Sequence, residues 1–195
     1  MQLFWKCSLT DELYVAQRAW EGAILDRCPF HPEGGCGLEK LGSYARVEPA
    51  GARIPRWWCP KRRESISLLP SFLAARLRGT LAAVEQVVAT VEAAGGVSAA
   101  VDEVYPPGAE EPIGLAGALR SIRRRVQSVR SALTAIATLL PERFAGVQPT
   151  LAAFREALGV EAVLVVLREL ADRYLGSLPA PLGFRARGAR RQAPA

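Results

Sequence analysis

The stretch Cys28-Pro29-Phe30-His31-Pro32-Glu33-Gly34-Gly35-Cys36, answered later by Trp57-Trp58-Cys59-Pro60, decides how the first part of this chain folds. It brings three of the four cysteines and the only histidine together between positions 28 and 59. Thiolates and imidazoles are the usual ligands of tetrahedral zinc, and Cys-x2-His spacing places two of them on one tight turn. The pattern predicts a structural zinc site formed by Cys28, His31, Cys36 and Cys59.

The identity of the fourth ligand stays open at the level of sequence. Cys7 is available to replace His31, which would then lie beside the metal or on the surface. The site also lacks a second paired cysteine, because Arg62 stands three positions after Cys59. Glu33 is the only carboxylate inside the loop, whereas a catalytic zinc needs an open coordination position and a nearby base. A structural role is therefore predicted for the metal.

Glycine and proline punctuation between Cys28 and about Leu69 separates three extended runs of sequence. The runs cover 42–47, 53–58 and 64–69, and a Pro-Ala-Gly turn at 49–51 suits a hairpin between the first two. The pattern predicts a zinc ribbon in which the third run adds an edge strand.

Beyond Pro70 the apolar residues recur at steps of three and four, which is typical of amphipathic helices. The first predicted helix follows a cap at Thr80 and ends at Gly95-Gly96, and the others cover 98–104, 114–140, 151–158 and 160–174. The two helices before the long one resemble the front of a helix-turn-helix, although a proline-rich loop at 105–112 intervenes.

The predicted fold class is mainly α, with a small β zinc-ribbon module followed by an all-α helical domain that has a helix-turn-helix-like core. The predicted domains are an N-terminal arm (1–27), the zinc-ribbon module (28–70), the helical domain (71–178) and a disordered basic tail (179–195). The tail is assigned on its Pro, Gly, Ala and Arg content.

The charge balance favours a polyanionic partner. The chain has 25 basic and 19 acidic residues and a net charge of +6, and all but three of the basic residues are arginine. Arginine suits phosphate and base-edge contacts, although a GC-rich genome produces the same bias. One basic group lies beside the tryptophan pair and another lies on the long helix with Gln127 and Ser128. The predicted nucleic-acid-binding residues are Arg53, Arg56, Lys61, Arg62, Arg63, Arg120, Arg123, Arg124 and Arg130.

The sequence lacks the signatures of secreted proteins, membrane proteins and common enzyme classes. The first residues show no signal peptide, and the most apolar window, 160–167, is shorter than the roughly 20 residues of a membrane span. We therefore expect a cytoplasmic protein with no membrane segment. No phosphate-binding glycine loop or nucleophile elbow is present, and His31 is the only histidine, so enzyme activity is not predicted.

The motifs of residues 28–130 resemble a known kind of segment. Cys28-Pro-x-His-Pro-x-Gly-Gly-Cys36, the run 56–60 and Ser65-Ile66-Ser67-Leu68-Leu69-Pro70 are similar to the zinc ribbon of insertion-sequence transposases and related uncharacterised bacterial proteins. In those proteins such a stretch leads into a helix-turn-helix. The resemblance implies a front end that binds DNA at transposon ends, with the metal folding the ribbon.

Two functions follow as hypotheses from these patterns. The first is a bacterial protein of mobile-element origin that binds double-stranded DNA, carries structural zinc and lacks a catalytic domain, because residues 131–195 offer neither the length nor the strands of one. The alternative is a protein-interaction adaptor whose helix at 114–140 contacts a protein partner or a second copy through its apolar stripe.

Overall fold

The computed structural model describes residues 1–106 and 114–184 and divides into two compact units. The first unit comprises Met1–Leu73 and Arg78–Thr80, and the second comprises Ala74–Leu77 and the chain from Leu81 onward. A sheet builds the first unit and helices build the second, so the fold is mixed α/β rather than mainly α. The prediction gave too little weight to β structure, because it missed the strand at Gln2–Trp5 and placed the run 64–69 at the edge of the sheet.

The first unit contains a four-stranded sheet in the order β1-β4-β3-β2. Its strands are β1 (Gln2–Trp5), β2 (Glu39–Ala45), β3 (Arg53–Cys59) and β4 (Glu64–Pro70). The last three are antiparallel neighbours, whereas β1 runs parallel to β4 with Leu3 opposite Leu68. The run 64–69, predicted as an edge strand, is therefore an inner strand. Its consecutive buried residues 66–70 favour that position, since an inner strand covered on both faces needs no polar side.

The N-terminal segment is integrated into the first unit by an aromatic cluster. Tyr14, on the short helix α1 (Asp11–Ala16), is completely buried, and its hydroxyl donates to the carbonyl oxygen of Arg53 at 2.7 Å. Its ring packs 5.2–6.0 Å, between centroids, from three other rings, those of Trp5, Trp20 and Phe72. Burial and the neighbouring Cys7 raise the pKa of Tyr14, so the hydroxyl remains a donor at neutral pH.

The described part of the second unit contains helices and connecting segments but no strand. Its helices are α2 (Leu81–Ala93), α3 (Val97–Val104), α4 (Leu115–Leu139), α5 (Pro141–Phe144), α6 (Leu151–Leu158) and α7 (Val163–Leu170). The segment predicted as one helix at 160–174 is α7 followed by a 3-10 turn at Asp172–Tyr174. Pro141 begins α5, because its fixed φ suits the first turn of a helix. No helix in the described part of the chain is long and apolar enough to cross a membrane.

The apolar stripe of α4 forms part of the second unit's own core. Ile122, Val129, Leu133 and Ile136 are at most 1% exposed. Residues of α2 and α3 pack against the first half of this stripe, among them Val91 and Val101. The rotation of α4 is thereby fixed, and its opposite side faces solvent.

Two glutamates of α2 accept hydrogen bonds from the first turns of other helices. The buried Glu85 accepts from the backbone N–H groups of Val163 and Leu164 at 3.0 and 2.9 Å, at the start of α7. Glu92 accepts from Leu151 and Ala152 at 2.9 and 3.1 Å, at the start of α6. These carboxylates satisfy N–H groups that have no partner within their own helix.

The beginning of the predicted basic tail is packed rather than disordered. Leu182 is completely buried, and the buried Arg168 of α7 donates to the carbonyl oxygens of Leu182, at 3.0 Å, and of Pro181. Burial lowers the pKa of Arg168 to about 9. Residues 179–184 thus provide acceptors for a buried guanidinium, a role that composition does not reveal. The rest of the predicted tail, 185–195, lies outside the described residues.

Replacing Gly183 by alanine is expected to destabilise the second unit by about 1–3 kcal/mol, the usual cost of overpacking. A Cβ there would overlap the side chain and carbonyl oxygen of Leu178 and lie 2.6 Å from the carbonyl oxygen of Leu175. Urea denaturation followed by circular dichroism measures the change. Gly176→Ala is the matched control, because its Cβ would meet nothing within 4 Å. Equal stability of the two variants would contradict the packing of this segment.

Candidate metal centre and nucleic-acid interface

The first two candidate ligands share a tight turn. The backbone N–H of His31 donates to the carbonyl oxygen of Cys28 at 3.1 Å, so both side chains leave the turn close together. The chain continues through Gly34 and Gly35, whose φ values of 88° and 70° favour glycine, and then reaches Cys36. The predicted Cys-x2-His turn and its glycine loop are both present.

The last candidate ligand stands at the end of β3, on a turn stabilised by its own backbone. The N–H of Arg63 donates to the carbonyl oxygen of Cys59 at 2.7 Å, and the N–H of Arg62 donates to its Sγ at 3.4 Å. The side chain of Arg62 pairs with Glu64 at 3.2 Å and lies over the ring of Phe30. Position 62 therefore offers the sulfur a backbone donor where the sequence pattern led us to expect a cysteine.

The four side chains meet in one cluster. The ligand atoms of Cys28, His31, Cys36 and Cys59 all lie within 4.8 Å of one another. His31 Nδ1 is 3.7 Å from Cys28 Sγ and 3.4 Å from Cys59 Sγ. Zn–S bonds of about 2.3 Å and Zn–N bonds of about 2.0 Å place tetrahedral ligand atoms roughly 3.5–3.8 Å apart, so the spacing suits a bound metal ion.

The cluster packs against buried apolar residues of the sheet, and Cys7 does not belong to it. Cys28, Cys36 and Cys59 are at most 5% exposed, and they pack with Trp57 and other buried residues of the sheet. His31 is half-buried and forms the more open side. Cys7 instead belongs to the aromatic cluster around Tyr14, with its N–H donating to the Ser71 hydroxyl. Of the two ligand sets that the sequence left open, the structure brings together the one with His31.

The thiols influence one another's ionisation. Burial opposes ionisation of Cys28, but hydrogen bonds from His31 and from the backbone of Phe30 lower its pKa to about 6. Burial and the neighbouring Cys28 and Cys59 raise the pKa of Cys36. A thiolate at Cys28 is therefore available at neutral pH, whereas ionisation of Cys36 is disfavoured unless a cation lies nearby. A divalent ion would supply that charge.

The predicted basic residues of the first unit have different surroundings. Arg53 is half-buried and donates to the hydroxyl and carbonyl oxygens of Ser43, so it joins β3 to β2. Arg56 is also half-buried and lies over the ring of Tyr44 at 5.6 Å. The three residues that follow the Cys59 turn, Lys61, Arg62 and Arg63, are exposed. This last group is the most accessible of the three, although the Arg62 guanidinium already pairs with Glu64.

The predicted basic residues of the second unit share one face. Arg120, Arg123, Arg124 and Arg130 are all exposed on α4, on the side opposite its buried stripe, and Arg124 also donates to the carbonyl oxygen of Arg76 at 3.2 Å. Arg125 points elsewhere, since it is half-buried and donates to the Tyr105 hydroxyl at 2.7 Å. Helix α4 contains five arginines and no aspartate or glutamate, so nothing on this helix neutralises the face. We call these four exposed arginines, together with Gln127, the arginine face.

Helices α2 and α3 are joined by a short turn like that of a helix-turn-helix, but neither contains a basic residue that could contact DNA. Only Ala94, Gly95 and Gly96 join α2 to α3, as in a helix-turn-helix. However, α3 exposes Asp102 and Glu103 and contains no basic residue. Among α2, α3 and α4, only α4 contains basic residues, and a longer connection separates its arginine face from α3.

Comparison with known proteins adds no family to these observations. No protein-family model, no curated protein and no solved structure matches this chain.

Proposed function

We propose that this protein binds double-stranded DNA through the arginine face of α4 and carries a structural zinc ion in its first unit. The observation that supports DNA binding most directly is the arginine face: four exposed arginines on a helix without a carboxylate. Its core-facing side is already packed, so the exposed charge is held on a rigid element. Such a surface attracts phosphates and positions them.

The ligand set supports zinc, and a binding protein rather than an enzyme. Three thiolates and one imidazole are a usual structural zinc set, and soft thiolates disfavour magnesium and calcium. Four protein ligands fill a tetrahedral shell and leave no position for a substrate. Cysteines that serve as metal ligands rather than disulfide partners are typical of a reducing compartment, which supports a cytoplasmic location.

The first unit contributes a second, smaller basic surface. Lys61, Arg62 and Arg63 come one residue after Cys59, beyond Pro60, so a bound metal would fix the turn that carries them. The resemblance of residues 28–130 to the DNA-binding front end of insertion-sequence transposases supports the same function and an origin in a mobile element. The zinc would hold this turn in shape without touching the nucleic acid.

The adaptor hypothesis has less support. It would use the apolar stripe of the helix at 114–140, but Ile122, Val129 and Leu133 on that stripe are buried in the core of the second unit. A partner would have to displace α2 and α3 to reach them. The accessible side of α4 is polar and basic.

Replacing Arg123, Arg124 and Arg130 together by alanine is expected to abolish DNA binding at moderate salt. Each arginine that contacts a phosphate releases about one counterion, so the slope of log affinity against log salt should fall by about 2–3. Fluorescence anisotropy with a labelled duplex of mixed sequence, over a series of NaCl concentrations, measures both quantities.

The matched control removes the same charge elsewhere. Arg27, Arg143 and Arg173 are exposed and lie outside both basic surfaces, so their triple alanine variant should keep nearly the wild-type slope. Equal losses in the two variants would mean that net charge alone drives binding. The absence of any binding by the wild-type protein at low salt would overturn the proposal.

A further inference from the structure

Gln127 occupies the centre of the arginine face. With 3.6 residues per turn, it lies one turn after Arg123 and Arg124 and one turn before Arg130. It is exposed, and its amide nitrogen makes only a long contact of 3.4 Å with the Ser131 hydroxyl. An uncharged amide with free bonding capacity is thus surrounded by cations.

The packing of α4 fixes the direction in which this amide points. Ala118, Ile122, Val129 and Leu133, on the opposite side, are at most 3% exposed. On the flank, Arg125 donates to the hydroxyl groups of Tyr105 and Ser121 at 2.7 and 3.2 Å. Helix α4 therefore cannot rotate without breaking its core contacts, and the line through Gln127 remains the outermost one.

The dimensions of α4 match the major groove of B-DNA. The groove is about 12 Å wide, and a helix with its side chains is about 10–12 Å across. When a helix enters the groove, its outermost line approaches the base edges, while residues to either side reach the phosphates of the two strands. Arginine is long enough for the phosphates, and glutamine at the centre faces the bases.

We propose that Gln127 reads an adenine in the major groove, between phosphate contacts made by Arg123, Arg124 and Arg130. This proposal rests on the proposed DNA-binding function and adds sequence preference to it. A glutamine amide both accepts and donates, so it pairs with N6 and N7 of adenine in a bidentate manner. Flanking arginines supply affinity that is independent of sequence.

Selection from a library of randomised DNA duplexes tests this inference with the full chain. The wild-type protein should enrich a motif with a preferred adenine. The Gln127→Ala variant should lose the preference at that position, by roughly tenfold in relative affinity, and keep the preferences at its other positions. Its salt dependence should remain that of the wild type, because no phosphate contact is removed.

Gln86→Ala is the matched control, since Gln86 is an exposed glutamine on α2 of the same unit. It should leave the motif unchanged. Binding without any enriched motif, or a motif unaffected by Gln127→Ala, would overturn the role of Gln127 while leaving DNA binding intact. Equally tight binding of an RNA duplex would also overturn it, because a helix does not fit the deep, narrow major groove of A-form RNA. Complete absence of binding would instead remove both proposals.

Discussion

The Cys59→Ser variant should purify without metal and with an unfolded first unit. Cys59 joins β3 to the cluster, so its loss removes one of four ligands and the link between the sheet and the loop at 28–36. We expect affinity for zinc to fall by more than the roughly 10–100-fold that loss of a ligand's hydrogen-bond partner costs. Because metal binding and folding are coupled in small sites, tryptophan fluorescence should show an exposed environment.

Two further variants make the metal experiment decisive. Cys7→Ser should retain one zinc per chain by elemental analysis, because Cys7 lies in the aromatic cluster around Tyr14 and not among the four candidate metal ligands. His31→Ala should lower zinc affinity, because it removes the imidazole ligand. Loss of zinc from Cys7→Ser, together with its retention at full affinity by His31→Ala, would contradict the ligand set.

Glu85→Ala should destabilise the second unit by about 3 kcal/mol. The substitution leaves the N–H groups of Val163 and Leu164 without their acceptor and removes one of the two carboxylate partners of Arg155. Each unsatisfied buried donor costs about 1–3 kcal/mol, whereas loss of the partly exposed ion pair adds little. Urea denaturation followed by the helical circular dichroism signal measures the change.

Glu92→Ala is the natural comparison, because Glu92 caps α6 in the same way but is half-exposed. Solvent would replace its hydrogen bonds, so we expect a loss of about 1 kcal/mol, typical of a helix cap. A stability of Glu85→Ala within about 0.5 kcal/mol of the wild type would show that the buried carboxylate does not hold α7. Glu85→Gln keeps an acceptor oxygen and should lie between the wild type and Glu85→Ala.

Local patterns predicted the cluster of cysteine and histidine side chains and most helices of this protein. Cysteine and histidine spacing identifies a shared turn, and the structure brings Cys28, His31, Cys36 and Cys59 together as compatible ligands of a metal. Apolar periodicity placed α4 and α6 to within one residue of their ends. The Cys-x2-His spacing and the helical periodicity both involve residues that are close in sequence, so they can be recognised without knowledge of the fold. The DNA contacts remain a prediction.

Features that depend on distant partners were missed. The pairing of β1 with β4 joins residues near the two ends of the first unit, and four residues are too few for a periodic signal. Glu85 and Glu92 look like ordinary surface glutamates of an amphipathic helix, since their acceptor roles arise only when α6 and α7 pack against α2. The packing of Leu182 was missed as well, because composition does not reveal that Arg168 donates to its carbonyl oxygen.

The parallel pairing of β1 with β4 also sets an order of events during synthesis. A parallel neighbour requires a long crossover, and Gln2–Trp5 finds its partner only after Ser67–Pro70 has been made. The β2–β3 hairpin and the turns that carry the cysteines involve residues close in sequence, so they can form before β1 pairs with β4. Strand β1 therefore cannot join the sheet before β4 has been made, and until the two pair the inner strand β4 has an open edge.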